Sequence, residues 1–220
     1  MSFDVHIENT VAGANKLVGW TLRSFKRRSK KTMLTIWKTI IQSKIDYCSQ
    51  LWSPNCQGSI LKLESVARSF TSRISGLENK NYWERLQDLH LYSQERRRER
   101  YIIIFLWKIA QGLVQGYNMD FVYSDRRGRL ALVRPYNPKA PTQVRKAREA
   151  SLLVKGAKLF NSIPRGLRDI NTGTVESFKA GLDAWLETIP DQPTIPDCHR
   201  AAITNSLLDQ IVLHNSSRFY

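Results

Sequence analysis

The sequence predicts a mostly α-helical protein with an N-terminal multi-helix bundle, a basic extended linker and a small C-terminal helical segment. Apolar residues recur every three or four positions along most of the chain, which is the spacing of one helix face. Cap residues precede several of these stripes, and prolines and glycines gather between them. A chain of 220 residues, of which 42% are apolar, is also long enough to bury a core.

Residues 1–115 form the first predicted unit, in which four helices pack together through their apolar stripes. The four helices are predicted at His6–Arg28, at Lys30–Ile45, from a cap at Ser59 to a stop at Gly76, and from a cap at Ser93 to the break at Gly112–Gly116. Between the second and third helices, the aromatic stretch Tyr47–Pro54 ends in proline and predicts a packed turn.

The rest of the chain divides into three predicted parts. Residues 116–150 contain three prolines and predict an extended basic segment with at most one short strand, at Leu130–Val133. Residues 151–190 predict a small helical unit, with one helix before Pro164 and another opened by Thr174. Residues 191–220 predict an acidic tail with one candidate helix, Asp197–Leu213.

The strongest signal in the composition is a net charge of +15, which is unevenly placed. Residues 1–168 hold 31 Lys and Arg against 12 Asp and Glu, whereas residues 169–220 hold 3 against 7. Two stretches lack acids altogether: residues 16–44 carry nine basic residues, and residues 126–148 carry eight. Such continuous positive charge favours a polyanionic partner, most commonly nucleic acid. A solvated basic surface or an anionic membrane surface is the alternative.

We therefore predict contacts with RNA, DNA or an RNA–DNA hybrid through the phosphate backbone, which positions a protein without reading bases. On the first helix, Lys16, Arg23 and Arg27 lie opposite the apolar stripe. Trp20 shares their face and either stacks on a base or packs under a later segment. The predicted nucleic-acid-binding residues are Lys16, Trp20, Arg23, Lys26, Arg27, Arg28, Lys31, Lys38, Arg96, Arg97, Arg100, Arg126, Arg127, Arg129, Arg145, Lys146 and Arg148.

The arginines at the start of the fourth predicted helix differ from the other basic residues because glutamates are interleaved with them. Helical spacing predicts that Arg96, Arg97 and Arg100 project away from the apolar face, where they would meet phosphate. Arg98 falls on the border of that face, three residues after Glu95, and is predicted to form a structural ion pair.

Residue types that carry catalysis are not grouped in this sequence. Two-metal chemistry needs carboxylates that hold ions about 4 Å apart, and no two acidic residues are adjacent anywhere in the chain. The pairs Glu84/Asp88 and Glu95/Glu99 stand one helical turn apart among arginines, which favours ordinary ion pairs. Three cysteines without a Cys-x-x-Cys spacing predict neither a zinc site nor a disulfide framework. We therefore expect no catalytic residue, no metal and no cofactor.

The sequence also predicts an intracellular protein, either nuclear or cytoplasmic. Its most apolar run, Tyr101–Trp107, is far shorter than a membrane span. The first residues lack the basic and apolar regions of a secretory signal, and the few cysteines are typical of a reducing compartment.

Motifs spread over residues 3–190 keep a distinctive order and spacing. They are Phe3–Ile7 with Ala14–Leu17, Ile45–Ser49 with Leu51–Pro54, Tyr82–Leu86 with Leu89 and Glu95–Arg97, Phe160–Pro164, and Ser177–Lys179 with Leu182 and Trp185. Together they resemble the region downstream of the polymerase palm in non-LTR retrotransposon reverse transcriptases, of the jockey-like and long interspersed types. Phe160 departs from that family, which usually has tryptophan there, as does Gln50, where proline is common.

The resemblance implies the thumb and post-thumb region of an RNA-directed DNA polymerase. Such a region helps to hold a template–primer duplex and performs no chemistry itself. The palm with its aspartate pair and the C-terminal Cys/His knuckle of some lineages are missing, so we expect a fragment of a truncated or split copy. The alternatives are a helical module that binds an acidic protein or an anionic membrane surface, and a translated relic without function.

Overall fold

The structure is a computed structural model that describes residues 3–116, 121–124, 126, 128–132, 139, 141–149, 151–170, 173–193 and 204–216. Within these residues the protein is mostly α-helical, as predicted, with one two-stranded sheet. The chain divides into two compact units. Unit 1 contains residues 1–98 and 191–205, and unit 2 contains residues 99–190 and 206–220. By this division one boundary falls within a helix, at residues 98 and 99, whereas the sequence predicted it at residue 115.

The helices of unit 1 follow their apolar stripes. The first ends at Ser24, earlier than predicted, because Phe25 is extended and Ser29 caps the next helix by accepting from the Thr32 N–H. In chain order they are α1 (Asp4–Ser24), α2 (Lys30–Ile36), a π-helical turn (Trp37–Ile41), α3 (Gln42–Asp46), α4 (Ser49–Trp52), α5 (Gln57–Thr71), α6 (Tyr82–Asp88) and the start of α7 (Gln94–Ala110).

The core of unit 1 forms where α1 packs against α5 and against the π-helical turn. Ile7, Ala14 and Val18 are the buried residues of the predicted stripe on α1. The rings of Trp37 and Phe70 lie 5.1 Å apart in the interior. The predicted packed turn is the short helix α4 and its flanks. Burial of this stripe against large aromatic side chains fixes which face of α1 is left for solvent.

Unit 2 is built on the second part of α7. Trp107 stacks on Phe178 with ring centroids 4.7 Å apart, and a methyl group on Gly156 would lie only 2.6 Å from Cδ2 of Leu106, so this glycine lets two helices approach closely. Its further elements are β1 (Phe121–Ser124), β2 (Arg129–Leu132), α8 (Thr142–Glu149), α9 (Leu152–Ser162), a 3₁₀ turn (Arg165–Arg168), α10 (Val175–Leu186) and α11 (Leu207–Ser216).

The expectation of an extended segment over residues 116–150 is wrong for the described part of that range. The expected short strand is present as β2, but it pairs antiparallel with β1 in a hairpin. The side-chain amide of Asn161 accepts from the Leu130 N–H and donates to the Leu130 carbonyl, both at 2.9 Å, which holds β2 against α9. Helix α8 begins directly after Pro141, whose carbonyl accepts its first hydrogen bond. Its polar residues gave no apolar stripe to predict it from.

Helix boundaries in the last part of the chain are closer to expectation. Thr174 caps α10 by accepting from the Ser177 N–H at 3.2 Å, as predicted. The candidate helix at Asp197–Leu213 is present from residue 207 as α11, and residues 194–203 lie outside the described part of the chain.

Candidate nucleic-acid interface

Helix α1 carries three of the predicted residues on its outer face. Lys16, Trp20 and Arg23 are all exposed, because steps of four and three residues keep them on the side away from the buried stripe. Trp20 is 49% exposed and meets Phe25 edge to face with ring centroids 6.5 Å apart. The indole therefore packs on one side and presents the other to solvent.

The connection after α1 brings further cations, although not in the predicted arrangement. Lys26 and Arg27 are exposed, but α1 ends before Arg27, so its expected place on the outer face of that helix is wrong. Arg28 is half-buried, and its Nη2 donates to the Leu22 carbonyl at 3.1 Å. Arg28 thus satisfies a carbonyl at the C-terminal end of α1.

Lys31 and Lys38 are exposed on α2 and on the π-helical turn. Lys44 of α3 is exposed as well and was not among the predicted residues. A methyl group on Gly13 would lie 2.6 Å from Cε of Lys44, so the lysine stem crosses α1 at that glycine. Gly13 precedes Lys16 by three residues and therefore lies next to it on the helix. The sequence feature that could have identified Lys44 is its position inside the acid-free stretch 16–44.

Acidic residues of unit 1 are bound to other partners. Asp88 accepts from Nζ of Lys30 at 2.9 Å and from Nζ of Lys80 at 2.7 Å, and these hydrogen bonds, Lys80 first, lower the pKa of the Asp88 carboxyl. Glu8 pairs with Lys62 at 2.7 Å. No described carboxylate forms an ion pair with the seven residues that we call the N-terminal cations, which are Lys16, Arg23, Lys26, Arg27, Lys31, Lys38 and Lys44.

The arginines of α7 behave differently, and their prediction as phosphate ligands needs correction. Arg96 has no exposed surface, so its predicted outward projection is wrong. Nε of Arg97 donates to Oδ2 of Asp46 at 2.7 Å within unit 1. Arg100 binds the carboxylate of Asp183 through two nitrogens within unit 2, with Nη2 2.6 Å from Oδ2. Arg97 and Arg100 thus bind carboxylates that are distant in sequence, where we had predicted phosphate.

Arg98 is buried as its border position predicted, but no described carboxylate forms the predicted ion pair with it. It is 3% exposed, lies 5.1 Å above the Trp52 ring, and donates to the carbonyls of Gln94 and Ile45 at 3.0 and 3.4 Å. Its hydrogen bonds therefore go to carbonyl oxygens, whereas Glu95 was the expected partner.

Glu64 is a buried carboxylate in the same interior. It accepts from the Tyr82 hydroxyl and from the Gln94 N–H, the latter at 2.8 Å. Burial raises the pKa of Glu64 to about 7 against the hydrogen bond from Tyr82, which lowers it. The sequence gave no sign of this residue, because the apolar stripe of α5 does not show which polar neighbour is enclosed.

In unit 2, the second acid-free stretch is only partly described. Arg126 and Arg129 are exposed at the turn of the hairpin, and Arg145 and Arg148 are half-buried on α8. The structure does not describe Arg127, nor the side chain of Lys146. Arg165 and Arg168 lie beside this turn and were not predicted, although they flank a glycine–leucine pair directly after Pro164.

The described residues include no group of three or more His, Cys, Asp or Glu side chains placed to hold a metal ion. Likewise, no helix in the described ranges is both long and apolar enough to cross a membrane. The chain matches no protein-family model, no curated protein and no solved structure. The exposed cations of the described residues are a feature from which a function can be argued.

Proposed function

We propose that this chain binds nucleic acid through the phosphate backbone, with the N-terminal cations as the main contact set. The observation that carries the proposal is the contrast between these seven side chains and the acids of unit 1. The cations lie on consecutive elements without a described carboxylate partner, while Asp88, Glu8 and Asp46 pair elsewhere. Such an uncompensated set attracts a polyanion and gains free energy by releasing its counterions.

The partner in this proposal is RNA, DNA or an RNA–DNA hybrid, and binding does not depend on base sequence. Lysine and arginine contacts to phosphate fix register and orientation without reading base edges. Trp20 adds a half-exposed aromatic surface between Lys16 and Arg23, which suits stacking on a base or sugar. Holding a duplex without chemistry is also the role implied by the resemblance to the thumb and post-thumb region of a non-LTR reverse transcriptase.

The test is the salt dependence of duplex binding by the full chain. We compare wild type with K16A/R23A/R27A on DNA, RNA and hybrid duplexes of unrelated sequences, using fluorescence anisotropy at several salt concentrations. Each lost phosphate contact lowers the slope of log K against log salt by about one, so the triple variant should lose about three. The loss should be similar for all sequences, because no base contact is removed.

A matched control separates this surface from net charge. K62A/K158A/K179A also removes three positive charges, but outside both acid-free stretches. It should keep most of the wild-type slope. If K16A/R23A/R27A binds like wild type at every salt concentration, the N-terminal cations are not the interface. Binding to an acidic protein or to anionic vesicles without duplex binding would favour the interaction module instead.

A further inference from the structure

Arg168 ends the 3₁₀ turn of unit 2 and is unusual for a buried arginine. It is 8% exposed, and its Nε and Nη1 atoms are enclosed without a hydrogen-bond partner. Within the described residues no carboxylate forms an ion pair with it. Nη2 has no hydrogen-bond partner among the described residues and is not among the enclosed atoms, so this one nitrogen reaches the surface.

The residues around Arg168 add positive charge. The hairpin turn covers it at Gly128, where a methyl group would lie 3.8 Å from Cβ of Arg168 and 3.9 Å from Cγ of Arg165. Burial lowers the pKa of Arg168, and the like charges of Arg129 and Arg165 lower it further. The positive charges of Arg129 and Arg165 therefore act on the Arg168 guanidinium at this end of the hairpin.

This local arrangement is held in place by backbone contacts. The Tyr123 hydroxyl donates to the Arg168 carbonyl at 2.6 Å, and Nη2 of Arg165 donates to the Arg126 carbonyl at 3.2 Å. Gly128 has a φ of +56°, which glycine adopts more readily than other residues. The turn therefore keeps Arg168 beside other cations, although a buried charge with no carboxylate partner among the described residues is costly to a fold.

We propose that Arg168, Arg129 and Arg165 form a phosphate-binding site at the hairpin turn of unit 2. An anion there accepts from Nη2 of Arg168, the nitrogen that is not enclosed, and from the exposed guanidinium groups of Arg129 and Arg165, and it compensates three neighbouring positive charges. Donors from three arginines suit the several oxygens of one phosphate, which favours a phosphate group over a smaller anion.

The phosphate can belong to a nucleic acid backbone or to a free phosphate or monoester, and both present the same oxygens. The inference does not depend on the proposed function, because none of these arginines belongs to the N-terminal cations. Failure of one can therefore be distinguished from failure of the other.

The experiment measures inorganic phosphate binding to the full chain by ³¹P NMR line broadening and by thermal shift, against sodium chloride of equal ionic strength. Wild type should show a phosphate-specific rise in Tm. R168M keeps much of the side-chain volume but removes the guanidinium, and should weaken phosphate binding by about tenfold or more. Without phosphate it should be at least as stable as wild type, since an unpaired buried charge is gone. A purely structural Arg168 predicts a lower Tm with an unchanged phosphate response.

The exposed pair R129M/R165M provides a second variant that does not disturb buried residues, and K158M/K179M is its charge-matched control in the same unit. R129M/R165M should weaken phosphate binding while the control does not. If R129M/R165M responds to phosphate like wild type, or if wild type shows no phosphate-specific response, the site does not exist, whatever the folding of R168M.

A third arm identifies the source of the phosphate. K16A/R23A/R27A should keep the phosphate response, because its changes lie in unit 1. On that background, an oligonucleotide without terminal phosphates tests the backbone diester. If R129M/R165M weakens oligonucleotide binding as well, the site takes backbone phosphate. If only the inorganic phosphate response falls, it takes free phosphate or a monoester.

Discussion

The arginines at the start of α7 and the N-terminal cations are similarly dense in the sequence, yet they have opposite environments. Arg96 and Arg98 are buried, and Arg97 and Arg100 bind carboxylates. The N-terminal cations are exposed to solvent, and none of them has a described carboxylate partner. Glutamates stand among the arginines of α7, whereas the stretch 16–44 contains no acid. Interleaved acids thus accompany cations of the interior, and an acid-free run accompanies cations of the surface.

The two regions should also respond to different solution conditions. Buried charges are little screened by salt. A buried group with a shifted pKa, such as Glu64, instead makes the stability of the fold depend on pH. Exposed cations contribute little to folding, while their contacts with a polyanion weaken steeply with salt. Stability against pH and binding against salt are therefore the measurements that separate the two regions.

Replacing Arg98 tests the buried region and should have the largest effect. R98A removes two hydrogen bonds to carbonyls and the stacking on Trp52, and leaves a cavity. We expect the free energy of unfolding to fall by about 3–5 kcal/mol, measured by urea denaturation. The matched variant R23A removes an exposed arginine of α1 and should change it by about 0.5 kcal/mol or less. Equal losses in the two variants would contradict the comparison.

Glu64 gives the second prediction, which concerns pH. Its carboxyl has a pKa of about 7 in the folded chain against 4.5 for the ordinary group, so the folded state holds the proton more tightly. The contribution of Glu64 to stability should therefore be greatest below about pH 4.5, fall as pH rises towards 7, and stay lower above it. E64Q stays neutral and should exceed wild type by about 1–3 kcal/mol at pH 8, but not at pH 5.

The control for this pH prediction is E8Q, which neutralises an exposed glutamate paired with Lys62. Its stability relative to wild type should differ little between pH 5 and pH 8. The facing groups Tyr82, Asp191 and Arg98 are unchanged in both variants. A constant difference between E64Q and wild type across that range would show that Glu64 does not titrate there.

The part of the fold that the sequence predicted is the part governed by local rules. The stripe of α1 and the caps at Ser93 and Thr174 depend on residues within a few positions of one another. The hairpin was missed because β1 carries only a short apolar pattern and its pairing with β2 is set by the tertiary fold, including Asn161. Segments stabilised in this way from outside have weak signals of their own.

The candidate site divides in the same way. Exposure of Lys16 and Arg23 follows from helical periodicity alone. The fate of Arg97 and Arg100 does not, because Asp46 and Asp183 lie 51 and 83 residues away in the chain. Arg168 was missed for a related reason: its burial depends on a hairpin turn around Gly128 that was not predicted.

Trp20 is half-exposed, so its substitution tests both its packing in unit 1 and its contact with a duplex. W20A removes the exposed half of the ring and its edge contact with Phe25. We expect duplex binding to weaken by about 1–3 kcal/mol, and the stability to fall by only about 1–2 kcal/mol because half of the ring is solvated. W20F keeps an aromatic face and should retain most of the binding. Unchanged duplex binding by W20A would assign Trp20 to packing alone.

Replacing Asp88 should have the smallest effect, and in the opposite direction. It should strengthen duplex binding, because two more lysines become available to phosphate. Asp88 holds Lys30 and Lys80 in exposed ion pairs, which contribute little to folding. D88N should therefore unfold almost like wild type, while releasing two lysines, one of them directly before Lys31. If both reach phosphate, the salt slope of duplex binding should steepen by up to about two.

The control is E8Q, which changes net charge by the same amount but releases Lys62, outside the acid-free stretch. It should leave the salt slope near that of wild type. Equal steepening in D88N and E8Q would mean that net charge, and not the position of the cations, governs binding.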